Sequence, residues 1–569
     1  MSVREWINNH ILLFDGAMGT MLQHYGLASG ELPELLNLSS PDTVIRIHRE
    51  YIHAGSQIVT ANTFQANELK LGKGHSVEEV VKAAIRCAKA SGAKFTALDV
   101  GPLGQLMAPM GPLTFERAYE IFARQMKAGA DAGADIILIE TISDLYEAKA
   151  AVLAAKENTS LPVFCTMTFQ ENGRTFMGCD PVSAAVTLQG LGVDVLGVNC
   201  SLGPQKLRPV VETMLRYSRA PVMLQANAGL PVMRDGVPCY DITPEEYAGE
   251  VMGMIKSGVS IIGGCCGTTP EYIRLIKELV GGSSPAPRNP LRVTVCSSGT
   301  KAVILDGTTT VVGERLNPSG KPDMQKALSA NDMDYLVEEA SDQTDDGADI
   351  LDLNVFLPGS DEAALMAEAV QEIQGVVKAP LQIDSTDPAA IETGCRVYNG
   401  KPVINSVNGK ASVMDTVFPI AKKYGGLVIA LTLDDNGIPP TAEGRLKIAL
   451  RIMGEAEKFG IPKEDLIIDC LAPAASSGQE QVKETLRAIR LVKSELGLKT
   501  VLGISNVSYG LPGRDALNAA FLAAALGAGL DAAIMNPMPG YCIEVMDAWR
   551  VLCGEDEHAA SYLGKYRNR

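Results

Sequence analysis

The chain has 569 residues, with 67 acidic against 50 basic side chains and a formal charge of −17. That balance leaves no electrostatic footprint for nucleic acid or for an anionic membrane surface. Hydrophobic residues make up 46% and charged residues 21%, globular values that exclude a disordered chain and supply material for more than one core. At about 100–200 residues per domain, this length predicts about two to four domains. The first ten residues, with Arg4, Glu5, Asn8 and Asn9, lack the apolar centre of a signal peptide. The longest run of small apolar residues, 519–530, is too short to span a bilayer. The expectation is a cytoplasmic protein, with no membrane or nucleic-acid partner, whose twelve cysteines are reduced thiols. Ten of them stand alone; only Cys265 and Cys266 adjoin.

Short β-branched runs, each followed by a turn and then by helical periodicity, recur through the first half at 11–15, 57–63, 95–100, 136–141, 163–169, 195–200, 222–227 and 261–265. Alternating strands and helices imply a parallel sheet, and eight such units match the size of a (β/α)₈ barrel. A doubly wound open sheet accounts for the same alternation. A Gly-Ser-Pro-rich stretch then marks a boundary, and the expected division is a first domain 1–285, a connecting segment 286–307 and a second domain 308–569. The pattern repeats in the second half at 311–316, 350–356, 381–385, 403–407, 427–433, 466–470, 501–506 and 532–536, with helical segments such as 333–346 and 481–496 between. The predicted class is α/β, two tandem (β/α)₈ TIM barrels.

Barrel active sites lie at the C-terminal ends of the strands. In the first set Cys200 ends the sixth run, and Cys265 and Cys266 end the eighth. A closed barrel brings these ends to one rim, with Asn227, ending the seventh run, beside them. Neighbouring residues of a regular strand point to opposite faces, so the adjacent cysteines share one ion only where the strand bends, and the flanking glycines allow that. Three thiolates leave one position of a tetrahedral zinc open for a substrate thiol, whose pKa the metal would lower; the chemistry suggested is S-alkylation. A buried apolar role accounts equally for any one cysteine taken singly. After the first run comes Asp15-Gly16-Ala17-Met18-Gly19-Thr20. Its glycines would let backbone amides approach a carboxylate, while Asp15 and Glu140 would hold an ammonium; helix capping and a rim ion pair are the plainer alternatives for these two acids.

These stretches, with Thr60-Ala61-Asn62-Thr63-Phe64, Glu140-Thr141, Gly197-Val198-Asn199-Cys200-Ser201 and Gly263-Gly264-Cys265-Cys266-Gly267, resemble the zinc-dependent homocysteine S-methyltransferases along the whole first half. The resemblance implies Cys200, Cys265 and Cys266 as zinc ligands, with Asp15 and Glu140 near the amine of homocysteine.

The second set ends in carboxylates and amides: Gly313-Glu314-Arg315-Leu316-Asn317-Pro318, Asp352-Leu353-Asn354, Ile383-Asp384-Ser385, Asn405-Ser406, Asp469 and Gly503-Ile504-Ser505-Asn506-Val507-Ser508. Such groups match the donor and acceptor edge of a flat heterocycle such as a pterin. Methyl transfer from a tertiary amine also needs a proton delivered to, or a charge stabilised on, the leaving nitrogen. Capping of the following helices explains any single Asp or Asn here. These motifs resemble the pterin-binding barrel of cobalamin-dependent methionine synthases. The resemblance implies a 5-methyltetrahydrofolate site of Glu314, Asn354, Asp384, Asn405, Asp469 and Asn506, with Arg514 of Leu511-Pro512-Gly513-Arg514-Asp515 beside it and Asn506 next to the reacting nitrogen.

That family carries the methyl group on a corrinoid in a module marked by Asp-x-His-x-x-Gly. The only near match here, Asp556-Glu557-His558, has Ser561 in place of glycine. The expectation is therefore that a corrinoid is required but is carried on a further module or a separate protein. A homocysteine methyltransferase using another donor, or a scaffold for a corrinoid protein, are the alternatives.

Overall fold

In the computed structural model, which describes residues 2–27, 30–230, 232–234 and 237–567, the chain divides between Leu291 and Arg292 into two units. Each is a (β/α)₈ barrel.

The first unit has eight parallel strands: β1 (Leu12–Leu13), β2 (Ile58–Thr60), β3 (Phe95–Val100), β4 (Ile136–Ile142), β5 (Val163–Met167), β6 (Val195–Asn199), β7 (Val222–Ala226) and β8 (Val259–Gly264). Their order in the sheet, β1-β8-β7-β6-β5-β4-β3-β2, runs round the sequence without a reversal. A doubly wound sheet needs such a reversal, so that alternative is excluded. The seam between β1 and β2 has no strand ladder and closes at Gln57 through one backbone and one side-chain hydrogen bond. Gln57 donates its N–H to the Leu13 carbonyl at 2.8 Å and takes the Leu13 N–H on Oε1 at 3.0 Å. Proline at the first helical position starts the helices Pro41–Ala54, Pro181–Gly190, Pro204–Tyr217, Pro244–Ser257 and Pro270–Val280, where its fixed φ and missing N–H cost nothing. The core at the N-terminal end of the strands comes from alternate residues, among them Leu12, Ile58, Ala97, Ile136, Leu138, Phe164, Val195, Met223 and Ile261. Val3 and Ile7 of the opening helix Val3–Asn9 pack into it.

The second unit is a closed barrel of β9 (Thr310–Gly313), β10 (Ile350–Leu353), β11 (Leu381–Asp384), β12 (Val403–Asn408), β13 (Leu427–Leu431), β14 (Leu466–Asp469), β15 (Lys499–Gly503) and β16 (Ala532–Met535). Part of the segment expected to connect the domains, 286–307, is structured. Val295–Ser298 pairs with Ala302–Ile304 and with Gly400–Lys401 in a three-stranded sheet. The reason is burial: Cys296, Val303 and Leu305 join Val312, Ile350, Val403, Leu427, Ile467, Val501 and Ala532 in the core of this barrel. The near match at Asp556 is a helix cap, its carboxylate accepting the N–H groups of Ser561 and Tyr562 at 3.0 and 2.8 Å. Among the described residues, no helix is long and apolar enough to cross a membrane.

Candidate functional site

In the first unit the alternation that builds the core turns polar toward the strand ends. Beyond Ile58, Ala97, Leu138, Phe164 and Met223, the next inward positions are Thr60, Asp99, Glu140, Thr166 and Gln225, and on β6 Val195 is followed inward by Gly197 and then Asn199. Above them opens a cavity of about 390 Å³, within the roughly 300–1,000 Å³ of small-molecule sites. Its wall carries Cys200, Cys265 and Cys266 at one side and the carboxyl groups of Asp15, Glu34, Asp99 and Glu140 elsewhere. Among the described residues, no lysine, arginine or histidine lines it.

The three sulfurs all lie within 4.8 Å of one another, and Cys200 Sγ is 4.0 Å from Cys266 Sγ. The bend that permits this follows β8 at once: Gly267 has φ 82°, and the Cys265 carbonyl accepts both the N–H (3.1 Å) and the hydroxyl (2.7 Å) of Thr268. Hydrogen bonds from Cys200 and then Cys265 hold the Cys266 thiol down to about 3. The Cys265 thiol is driven well above the ordinary thiol range by its contacts with Cys200 and Cys266 and by burial. Three such sulfurs become thiolates together only around a cation. Tyr240 stands against this cluster, its hydroxyl pushed up to about 12 by burial and by the cysteines.

The acids are held just as tightly. Asp15 accepts the Thr60 N–H at 2.8 Å and its hydroxyl at 2.7 Å, yet burial raises its carboxyl to about 7. Burial, then the charges of Cys200 and Asp15, raise Glu140 to about 8. Burial and the neighbouring Glu140 and Glu34 carry Asp99 well above the usual carboxylate range, and its Oδ1 has no hydrogen-bond partner. Gly16 is required for close approach, since a Cβ there would stand 2.7 Å from Thr268 Oγ1 and 3.0 Å from the Tyr51 ring. Four acids, three of them buried, with no basic side chain between them among the described residues, make surroundings that favour a cation.

The structure brings together Asp15, Gly16, Glu140, Cys200, Cys265 and Cys266, as expected from their strand ends. Asn227 is buried but does not line the cavity, because β7 ends at Ala226 and its inward residue at that level is Gln225. Glu34 and Asp99 belong to the wall but were absent from the expected substrate set. Asp99 had the signal of a strand-end acid; Glu34, in the short helical turn Pro33–Leu35 between β1 and β2, had none.

In the second unit the same inward alternation continues Val312 to Glu314, Ile350 to Asp352 and Asn354, Val403 to Asn405, and Ile467 to Asp469. Asn354 donates to Asp384 Oδ2 at 3.1 Å, while Asp352 takes the amides of Gln382 and Asn405 at 2.5 and 3.4 Å. Asp352 is thus the buried acid around which the amides are ordered, and burial, then Asp384, hold its carboxyl well above the usual range. Asp384 is raised to about 6 and Asp469 to about 7, both chiefly by burial. Glu314 accepts the Ser505 hydroxyl at 2.7 Å. Asn506 is exposed on the turn Ile504–Ser508. Arg514 braces that turn, donating to Ser508 Oγ at 3.0 Å and to the Ser505 carbonyl at 2.9 Å.

A raised carboxyl has a defined sign in stability. The folded unit keeps on Asp469 a proton that the unfolded chain releases above about 4, so stability is full below that pH and falls until about 7. We expect the melting temperature of the ligand-free protein's second transition to drop across this window and Asp469→Asn to flatten the drop; an unchanged slope in scanning calorimetry contradicts it.

Residues 12–280 match the family model described as homocysteine S-methyltransferase, and residues 313–536 the model described as pterin binding enzyme. The chain is 32% identical over 568 residues to the methionine synthase of Mycobacterium tuberculosis, an alignment covering 93% of this chain and 48% of that protein. It is 32% identical over 575 residues to the methionine synthase of Mycobacterium leprae, covering 94% and 48%. The chain therefore spans about half the length of the curated relatives it matches. The homocysteine methyltransferase MmuM of Escherichia coli in its metallated form is 22% identical, with a TM-score of 0.41, over 47% of this chain and 96% of that one. The first unit thus carries a homocysteine S-methyltransferase domain and the second a pterin-binding domain.

Proposed function

We propose that this methyltransferase moves a methyl group from 5-methyltetrahydrofolate to the thiol of homocysteine, giving methionine, by way of a corrinoid held on another module or a separate protein. The observation that carries the reading is a cavity with three clustered sulfurs, four acids and, among the described residues, no basic side chain. Homocysteine offers both complements, a thiol and an ammonium.

The donor set fits zinc. Four ligands at about 2.3 Å in a tetrahedron stand about 3.8 Å apart, and Cys200 and Cys266 are 4.0 Å apart. Cys200, Cys265 and Cys266 would hold the ion, which supplies a Lewis acid that lowers the pKa of a thiol at the remaining position. Asp15 and Glu140 would pair with the ammonium, which returns both to carboxylates because an adjacent cation favours the charged form. The loop at Gly16, packed closely on Thr268 and Tyr51, lines the cavity where the substrate carboxylate would lie, and the apolar layer beneath would exclude water.

In the second unit Asp384 and Asp469, with Asn354 and Asn405, would take the N–H groups of the pterin edge. Asn506, exposed on its braced turn, would stand where the leaving nitrogen must gain a proton or have its charge stabilised. Glu314 and Arg514 hold that turn from either side.

The test separates the two half-reactions. With homocysteine and 5-methyltetrahydrofolate alone, the chain is expected to form no methionine. Free methylcobalamin is expected to support methylation of homocysteine, and reduced cobalamin to take the methyl group from the folate. Stoichiometric methionine from the two substrates without a corrinoid overturns the proposal.

A further inference from the structure

Three residues on the cysteine side of the first cavity carry side chains at backbone angles that favour glycine: Thr141 at φ 63°, Cys200 at φ 61° and Ser201 at φ 57°. For a β-branched residue such as Thr141 this is an outlier that persists only when its surroundings enforce it. One side chain bonds to the first of these residues and belongs to the residue that immediately precedes the other two. Asn199, fully buried as the last residue of β6, accepts the Thr141 N–H at 2.8 Å and the Thr166 hydroxyl at 2.9 Å on Oδ1. Its Nδ2 donates to Thr141 Oγ1 at 2.7 Å.

The consequence of the bend at Thr141 is visible in the pairing of β4 with β5, whose register shifts between Ile139 and Ile142. Such a bulge places two successive residues on one side of a strand, and both Glu140 and Thr141 line the cavity. On β6, simple alternation would send Cys200 away from the interior that Asn199 faces. The left-handed turn instead returns its sulfur toward Cys266. The amide matches all three contacts as they stand: an aspartate would bond the Thr141 hydroxyl only by turning that hydroxyl from acceptor to donor, and it would add a charge beside the acids of the cavity.

We propose that Asn199 is the positioning residue of the first site, locking the Thr141 bulge that presents Glu140 and the turn that presents Cys200, so that both ends of the substrate are aligned by one buried amide. This rests on the homocysteine reading given above. It assigns to Asn199 no contact with substrate or metal.

A double-mutant cycle on the full chain tests it, because glycine at 141 adopts φ 63° without strain. Homocysteine affinity by calorimetry on zinc-loaded protein, and zinc affinity by competition with a chromophoric chelator, are measured for Asn199→Ala, Thr141→Gly and the double variant. Asn199→Ala is expected to weaken homocysteine binding about tenfold or more in the native background and about threefold or less in the Thr141→Gly background. Zinc affinity falls with Asn199→Ala in both backgrounds, because the Cys200 turn is not relieved by the glycine. Equal losses of homocysteine affinity in both backgrounds, or no loss in either, overturn the assignment. Should Asn199→Ala fail to fold, Asn199→Asp replaces it: its added charge acts in both backgrounds, whereas the altered bond to Thr141 Oγ1 is absent from the Thr141→Gly background, so the loss of homocysteine affinity is again expected to be smaller there. A native protein that binds zinc but no homocysteine refutes the substrate reading instead, and the zinc measurements then judge Asn199 alone.

Discussion

Cys266→Ala is expected to empty the first site of metal and to end homocysteine methylation. Metal analysis of the native protein should give one zinc per chain and of the variant none, since two thiolates and no fourth protein sulfur among the described residues make a poor zinc site. Loss of the Lewis acid removes several kcal/mol of transition-state stabilisation, about 10³-fold or more in rate with free methylcobalamin as donor. The fold should survive, because Cys266 is only half-buried and follows the last residue of β8 by two positions. One equivalent of zinc retained by Cys266→Ala, with methylation intact, refutes the site.

Asp384→Asn is expected to weaken 5-methyltetrahydrofolate binding by about 10- to 100-fold, the 1.5–3 kcal/mol of a charge-assisted hydrogen bond. The same substitution should stabilise the ligand-free second unit above pH 6. Burial raises the Asp384 carboxyl to about 6, so ionising it costs the folded state free energy that a neutral amide of the same shape does not incur. A residue kept at a cost to stability and needed for binding behaves as a functional one. Calorimetric titration and thermal melts measure the two effects on one sample. Unaltered folate binding in Asp384→Asn removes this acid from the site, and unaltered homocysteine binding is the internal control.

Strand ends were legible along the chain because a barrel repeats one local unit. Each β-branched run followed by a turn and a helix is a short-range signal, and eight of them leave few ways to close. Asp15, Cys200, Cys265, Glu314, Asp384 and Asp469 are at or just beyond strand ends, and Glu140 and Asn405 lie two and three residues before the ends of β4 and β12, so their convergence followed from counting units. Asn227 and Gln225 show where that reasoning stops. Both are polar residues near the end of β7, and only the register of the strand says which of them faces the cavity.

By itself, the sequence determined the two barrels, their order, the rim on which each site is built and the chemical character of each: sulfur in the first, carboxylates and amides in the second. These are local properties, carried by alternation, turn residues and spacing. Only the tertiary structure decided that Glu34 and Asp99 join Asp15 and Glu140 in a cavity lined, among the described residues, by no basic side chain, that β1 and β2 meet through Gln57, and that Asn199 holds Thr141 across 58 residues of chain. Those contacts join residues whose separation along the chain carries no periodic signal, and they exist because backbone bends, costly on their own, are paid for by hydrogen bonds that form only when the barrel has closed.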